Sequence, residues 1–381
     1  MRRIYLDNAA TTAVSPAVLE AMLPYLTDVY GNASSIHSFG REAKRALEQA
    51  RRQVVKAINA AAPQEIYFTA GGSESDNWAI KGVALAHPRG HIITTAIEHH
   101  AVLHTCQWLE KRGYDVTYLP VDEYGRVSAD QVEKALRADT ILVSVMMANN
   151  EVGTIQPIAK IGSLCRARGV LFHTDAVQAV GAIPLDVQSL QVDLLSLSGH
   201  KFHGPKGVGV LYVRKGVKLE NLMHGGTQER GFRAGTENLP GIVGLGRAIE
   251  DACTSLEENA VRITGLRNAL IDGLMARVSD TRLNGHPTER LPGNANLSFA
   301  GVEGEALLLR LDLMGVAGSS GSACTSGTLD PSHVLMALGL TQAEANGALR
   351  LTLSKDTTHE DIEAVLDILP PIVEDLRRMR R

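Results

Sequence analysis

The sequence has few aromatic residues, little net charge and no long apolar run. Aromatic residues make up 4% of the 381 residues, and the formal net charge is −4. A chain so close to neutral lacks the excess of basic residues that is typical of proteins that bind nucleic acid or anionic membranes. The longest apolar run, TILVSVMMA, is far shorter than the roughly 18 residues that a transmembrane helix requires. We therefore expect no membrane partner and no direct nucleic-acid partner.

Cysteines are also few, and they are isolated from one another. Cys106, Cys165, Cys253 and Cys324 form no CxxC pair, which argues against a disulfide framework and against a zinc knuckle. The first residues, MRRIYLDNAATT, contain no apolar segment of the kind that secretory signals carry. We expect a cytoplasmic protein with reduced thiols. The first three cysteines lie in predicted helices and are interpreted as buried, inert packing residues.

The order of apolar patterns predicts an α/β fold. Hydrophobic residues make up 44% of the chain, enough for a sizeable core and two domains. From about residue 43 to about residue 250, short apolar strands alternate with amphipathic helices, which predicts a mostly parallel sheet with helices on both faces. After residue 239 long helices and short strands predict a smaller α+β domain. We assign residues 15–250 to the large domain, and residues 1–14 and 251–381 to the small one.

One lysine lies on a loop between two predicted strands, where its amine could act as a nucleophile. In SLSGHKFHGPKGVGVLYVR, Lys201 falls on the short connection between two predicted strands. Loops held by rigid strands are common positions for catalytic groups. A lysine whose pKa is lowered by burial or by a neighbouring cation condenses with carbonyl groups to form a Schiff base. This position therefore suggests a cofactor that carries a carbonyl group.

Polar residues follow several other predicted strands, and ligands of open parallel sheets bind beyond the carboxyl ends of their strands. In TAGGSES, the backbone N–H groups of Gly72 and Ser73 can approach an anion at a helix N-terminus. The polar residues at the other strand ends are Glu98, His99, His100, Asn149, Asn150, Glu151, Asp175 and Gln178. Each has a simpler explanation when taken alone, as a turn, a packing histidine or a helix N-cap. Together with Lys201 they supply the amine, anion cradle, ring and carboxylate that a pyridoxal phosphate site requires.

The sequence resembles a known family over its whole length. The motifs YLDNAATT, GSESDN, EHHAV, NNEVG, HTDAVQ, SGHKFHGPKG, RAGTEN and SSGSACTSG occur in this order. In this respect the chain is similar to the cysteine desulfurases among the class V, fold-type-I pyridoxal-phosphate-dependent transferases, in the nitrogen-fixation and iron–sulfur-cluster branch. The resemblance implies a mostly parallel seven-stranded sheet in the large domain, and pyridoxal 5'-phosphate as the cofactor.

The resemblance also implies a role for each site residue. Lys201 would bond to the cofactor and move the α-proton of the substrate, Asp175 would pair with the ring nitrogen, and His99 would stack on the ring and assist proton transfer. Asn150 and Gln178 would contact the cofactor or the substrate. The residues expected around the phosphate are Gly72, Ser73, Ser198 and His200. Thr236, in RAGTEN, would reach the phosphate of the neighbouring subunit, which implies a homodimer with shared active sites.

Two further residues would act on the substrate. Arg350, in ALRLTLSKDTT, would bind the amino-acid carboxylate, for which a guanidinium is well suited. Ser354 stands where the family usually has glycine, so the turn after this strand departs from the pattern. Cys324 lies in a loop, at about residues 318–330, that is rich in glycine and serine, and such a loop can expose a reactive thiol. No resident metal is implied, although Cys324 could contact an iron–sulfur cluster during transfer.

These features predict conversion of L-cysteine to L-alanine with formation of a persulfide on Cys324. The sulfur would pass to a scaffold or carrier protein for iron–sulfur clusters or another sulfur-containing product. A selenocysteine lyase or a class V aminotransferase is the alternative, because both would use Lys201 without requiring Cys324. A non-catalytic binding protein of the same fold would not need this set of residues. A nucleotide-binding site is disfavoured because GGSES lacks the Lys-Ser/Thr pair of a P-loop.

Overall fold

The computed structural model describes residues 2–320 and 331–379. Its strands are β1 (Ile4–Tyr5), β2 (Ile66–Thr69), β3 (His91–Thr95), β4 (Asp115–Leu119), β5 (Thr140–Ser144), β6 (Leu171–Asp175), β7 (Leu194–Ser198), β8 (Gly209–Val213), β9 (Thr281–Leu283), β10 (Asn294–Phe299), β11 (Val316–Ala317) and β12 (Ala348–Thr352).

The helices alternate with the strands in the first two thirds of the chain and dominate the last third. They are α1 (Pro16–Met22), α2 (Pro24–Thr27), α3 (Ser38–Ile58), α4 (Gly72–Leu85), α5 (His100–Glu110), α6 (Ala129–Ala135), α7 (Ile158–Arg168), α8 (Leu239–Thr254), α9 (Leu256–Arg277), α10 (Gly304–Leu313), α11 (His333–Ala337), α12 (Gln342–Asn346) and α13 (His359–Met379).

The large sheet has seven strands in the order β2-β8-β7-β6-β5-β3-β4. Strands β7, β6, β5, β3 and β4 are mutually parallel, whereas β8 runs antiparallel to both of its neighbours. The connection from β7 to β8 is too short for the crossover that a parallel pair needs, so β8 must reverse. Every residue of β3, β7 and β8 is buried, as expected for strands covered by helices on both faces. The predicted α/β fold with a mostly parallel sheet is confirmed.

A second apolar core surrounds a three-stranded antiparallel sheet in the order β12-β10-β9. Residues from α9 and α13 pack against this sheet. Ile4 and Leu6, near the start of the chain, belong to the same core, and β1 pairs in parallel with β11. The division into a large domain of residues 15–250 and a small domain of residues 1–14 and 251–381 stays a prediction.

The cysteines in the described residues lie in helices, as predicted. Cys106 and Cys165 are buried, and burial raises the pKa of each thiol to about 12, which makes both unreactive. Cys253 is only half-buried, so the prediction of a buried residue is too strong there, because it lies near the C-terminal end of α8. None of the helices in residues 2–320 and 331–379 has the length and hydropathy needed to cross a membrane.

Candidate functional site

A cavity of about 420 Å³ lies where several strands of the large sheet end. It is lined by ten of the predicted site residues, which are Gly72, Ser73, His99, Asn150, Asp175, Gln178, Ser198, His200, Lys201 and Arg350. Strands β3, β5, β6 and β7 are parallel, so their carboxyl ends lie at the same edge of the sheet. Residues that are far apart in sequence therefore meet here.

Lys201 reaches this cavity from a single 3₁₀ turn, Gly199–Lys201, directly after β7. Its Nζ donates hydrogen bonds to the carbonyl oxygens of Ala9 and Ala10, at 2.6 and 2.7 Å. The amide of Gln178 also donates to the Ala9 carbonyl, at 3.0 Å. The N-terminal segment therefore forms one wall of the site and orients the amine.

Asp175 is the last residue of β6 and is 6% exposed. One carboxylate oxygen accepts the N–H of Val177 at 2.9 Å. Burial raises the pKa of Asp175 to about 6, against the lowering effects of the Val177 hydrogen bond and the positive charge of Lys201. A buried carboxylate of this kind gains strongly from a cationic partner, such as a protonated ring nitrogen.

His99 caps the N-terminus of α5, where its Nδ1 accepts the N–H of Ala101 at 3.1 Å. Burial, followed by the positive charge of Lys201, lowers the pKa of His99 to about 4. The ring is therefore neutral at physiological pH. A neutral imidazole in the cavity can stack on a flat ligand and can accept a proton.

The predicted phosphate cradle forms where α4 begins beside β7 and β8. A Cβ at Gly72 would lie 2.7 Å from Cγ2 of Val177, and a Cβ at Gly209 would lie 2.7 Å from the backbone of Gly71. Glycine at these two positions lets the turn pack closely against the sheet. Ser198, at the end of β7, lines the same pocket. The turn thus places the N-terminal N–H groups of α4 beside the cavity, where an anion is favoured.

His200 lies beside this cradle. Its Nδ1 is 3.0 Å from the hydroxyl oxygen of Thr11. Burial, then the charges of Lys201 and Lys206, lower the pKa of His200 to about 4. The ring is neutral at physiological pH and can bind a phosphate only as a hydrogen-bond donor.

Arg350 comes from the small sheet, on β12, and is 1% exposed. Its guanidinium forms an ion pair with Asp7 at 2.9 Å and donates to the backbone carbonyl of Asn150 at 3.0 Å. Its Nε is buried and has no hydrogen-bond partner among the described residues. The departure at Ser354 leaves this arrangement intact, because its hydroxyl accepts the N–H of Asp356 at 3.2 Å and closes the turn.

Two predicted site residues do not line this cavity in the described structure. Thr236 is exposed on a loop before α8, as required of a residue that would act in another subunit, and its role stays a prediction. Cys324 lies outside the described residues, as does most of the loop predicted at about residues 318–330.

A larger cavity, of about 460 Å³, lies on the other side of Lys201 and Gln178. Within the described ranges, its lining lacks Asp175, the phosphate cradle and Arg350. We therefore assign the candidate site to the smaller cavity, where the charged and anion-binding groups converge.

The sequence reasoning missed several residues that line the site or hold its parts. These are Asp7, Asp76 and His333, whereas His100 and Glu151 are among the polar residues that the sequence places at strand ends. Asp76 had a local signal, because it follows Gly72 by four residues and so lies on the same face of α4. Asp7 belongs to the YLDNAATT motif, but its ion pair with Arg350 joins residues 343 positions apart, and no local pattern reveals such a contact.

Comparison with known proteins extends these observations to the whole chain. Residues 4–365 match the model of the aminotransferase class-V family. The chain is 56% identical over 380 residues to the cysteine desulfurase IscS of Methanosarcina thermophila, covering 99% of this chain and 94% of the relative. A solved NifS-like protein superposes with a TM-score of 0.92 at 42% identity, over 98% of this chain and 100% of that one. A structure of SspA in complex with cysteine gives a TM-score of 0.82 at 39% identity, over 93% and 100%. The chain therefore belongs to the aminotransferase class-V family and, within it, to the cysteine desulfurases.

Proposed function

We propose that this protein uses pyridoxal 5'-phosphate to convert L-cysteine to L-alanine and leaves the sulfur as a persulfide on Cys324. The proposal rests on one observation, which is that Lys201, Asp175 and Arg350 line the same cavity. These groups match the carbonyl, the ring nitrogen and the substrate carboxylate, respectively. Binding of cysteine by the similar protein SspA supports the choice of substrate.

The residues present fit this cofactor. Because Gly72 has no side chain, the turn packs closely against Val177. The turn borders the cavity and offers backbone N–H groups to a phosphate. Asp175 is buried in the lining of the cavity, where a charged ring nitrogen would stabilise its carboxylate. We infer that Gly72, Ser73, Ser198 and His200 hold the phosphate.

When bound, the cofactor supplies an electron sink for the pair released at the substrate α-carbon. The protein supplies the rest. Arg350 holds the substrate carboxylate, Lys201 moves the α-proton, and Asp175 keeps the charge on the ring nitrogen. His99 is neutral because of its lowered pKa, so it can accept a proton in the site at physiological pH.

Sulfur transfer requires a nucleophile outside this set of groups. We assign this step to the thiolate of Cys324, which forms a sulfur–sulfur bond with the substrate as the substrate's carbon–sulfur bond breaks. The persulfide then passes to a scaffold or carrier protein. The other cysteines do not fit this role, since burial raises the thiol pKa of Cys106, Cys165 and Cys253 and so favours the protonated thiol.

The exposed position of Thr236 supports a homodimer in which each subunit completes the site of the other. A cytoplasmic location and a sulfur acceptor with access to the Cys324 loop belong to the same proposal.

The cofactor and sulfur steps can be tested separately in one set of variants. The purified protein should be yellow and should release alanine from L-cysteine, whereas Lys201→Ala should lose the covalent link to the cofactor. Cys324→Ser should retain the colour and bind L-cysteine but form no persulfide. A colourless protein that cannot be reconstituted with pyridoxal phosphate would overturn the proposal. Native alanine production by Cys324→Ser would instead indicate a lyase, and transfer of the amino group to a 2-oxo acid would indicate an aminotransferase.

A further inference from the structure

The turn that forms the phosphate cradle also carries a carboxylate. Glu74 follows Gly72 and Ser73 in the first turn of α4, and it is 14% exposed. A bound phosphate monoester adds about −1.5 to −2 charges at neutral pH. An unneutralised carboxylate so near would repel the phosphate, because like charges in a partly buried site interact strongly.

Arg233 neutralises this carboxylate with two hydrogen bonds. Its Nε donates to Glu74 at 2.9 Å and its Nη2 donates at 3.1 Å. The second oxygen of Glu74 also accepts the N–H of Ala70 at 2.7 Å, so the same side chain braces the turn before the helix. The hydrogen bond to Glu74 raises the pKa of Arg233 above its ordinary value. Both side chains are mostly buried, and the paired geometry makes this contact stronger than an exposed ion pair.

This ion pair links two parts of the site that are far apart in sequence. Glu74 belongs to the GSESDN turn, and Arg233 belongs to the RAGTEN segment that carries Thr236. The loop that carries Arg233 also has an internal hydrogen bond, in which the N–H of Gly235 donates to the side chain of Gln228 at 3.3 Å. The position of the cradle therefore depends on a side chain from a loop with no other assigned role in its own subunit's site.

We propose that Arg233 is a positioning residue for the cofactor phosphate. It cancels the charge of Glu74 and holds the turn in the shape that presents the N–H groups of Gly72 and Ser73 to the anion. This inference rests on the proposed function, because it takes the anion to be the phosphate of pyridoxal phosphate.

The test compares two ligands that differ only in the phosphate. Apoenzyme is titrated with pyridoxal phosphate and with unphosphorylated pyridoxal, and binding is followed by absorbance. Arg233→Met should weaken pyridoxal phosphate binding by about tenfold or more, the effect of losing a charge-assisted contact, and leave pyridoxal binding unchanged. The double variant Glu74→Gln/Arg233→Met should regain most of the affinity, because the carboxylate that opposes the phosphate is gone.

Two further variants complete the design. Arg233→Lys keeps the charge without the paired geometry, so it should fall between the wild type and Arg233→Met. Arg137→Met is the matched control, because Arg137 also binds carboxylates, Asp115 and Asp139, but at an exposed place away from the site. It should bind both ligands as the wild type does.

Equal losses for the two ligands would overturn the inference, because Arg233 would then only support the fold. A double variant no better than Arg233→Met would also overturn it, because the charge of Glu74 would then not be what opposes the phosphate. Unchanged binding of pyridoxal phosphate by Arg233→Met would overturn it too. A wild-type protein that binds no pyridoxal phosphate contradicts the proposed function itself, which separates the two failures.

Discussion

At the scale of single residues, Arg350 shows how a buried guanidinium can be held in place and still have a nitrogen available for a ligand. Its ion pair with Asp7 and its hydrogen bond to the Asn150 carbonyl fix the guanidinium. The buried Nε has no partner among the described residues, which is costly unless a ligand satisfies it. An amino-acid carboxylate has the charge and shape to do so.

We predict that Arg350→Lys weakens capture of L-cysteine by about tenfold or more, since a lysine keeps one charge but loses the paired hydrogen bonds. Binding is measured by absorbance titration in the Cys324→Ser background, which blocks turnover. Cofactor affinity should change much less. Arg282→Lys is the control, because Arg282 is exposed on β9, at the opposite edge of the same sheet from β12. An unchanged cysteine dependence would mean that another cation binds the carboxylate.

Residues at strand ends could be predicted from the sequence, because each follows a recognisable apolar run. Lys201 and Asp175 come directly after such runs, and the rule for parallel sheets brings them together. Their partners could not be predicted in the same way. The Ala9 and Ala10 carbonyls that bind Lys201 are more than 190 positions away, and only the folded chain specifies the contact.

At the scale of elements, α3 illustrates a similar limit. Its amphipathic pattern predicts a helix, and its buried stripe includes Leu47 and Val54. Arg51 lies among these buried residues and is 2% exposed. Its two Nη atoms each donate to Glu229 at 2.9 Å. Glu229 precedes Arg233 by four residues, so this contact holds the loop that carries Arg233. The helix could be predicted from the sequence. The ion pair of Arg51 with Glu229 could not, because the two residues are 178 positions apart.

We predict that Arg51→Met destabilises the protein by about 3–5 kcal/mol, because it leaves the Glu229 carboxylate buried without its partner. The double variant Arg51→Met/Glu229→Leu should recover much of this loss, since both charges are then removed. Urea denaturation of the variants measures the effect. Arg52→Met is the control, because the next arginine on α3 is exposed and its side chain hydrogen-bonds to Gln49 within the described part of the chain. Its change should stay within about 0.5 kcal/mol. A single variant as stable as the control would show that the buried pair does not hold the loop.

At the scale of the whole molecule, the chain builds its site from the seven-stranded sheet and the three-stranded sheet. The large sheet supplies Lys201 and Asp175, and the small sheet supplies Arg350, while residues 7–10 of the N-terminal segment bind groups from both. The change of pattern after residue 239 predicts a second, smaller part of the chain, and that division stays a prediction. The sequence could not show which groups meet at the site, because the carbonyl oxygens of Ala9 and Ala10 carry no sequence signal and Asp7 pairs with a residue 343 positions away.

The proposed homodimer with shared sites gives the last prediction. Lys201→Ala removes the reactive amine, and Thr236→Glu places a negative charge where the phosphate of the neighbouring subunit would bind. Each variant alone should be inactive or nearly so. If Thr236 acts across the dimer, a mixed dimer of the two variants has one site with both defects and one site with an intact Lys201 and an intact Thr236.

Mixing the two variants under conditions that exchange subunits should therefore restore alanine production from L-cysteine to about one quarter of the wild-type rate, since half of the dimers are mixed and each has one working site. Self-contained sites would give no recovery, because every site in the mixture would then carry one defect. Mixing Lys201→Ala with Asp175→Ala is the control. Both residues line the same cavity of one chain, so each site keeps a defect and no activity should return. Recovery in the first mixture and none in the second requires that one subunit supplies the lysine and the other the threonine.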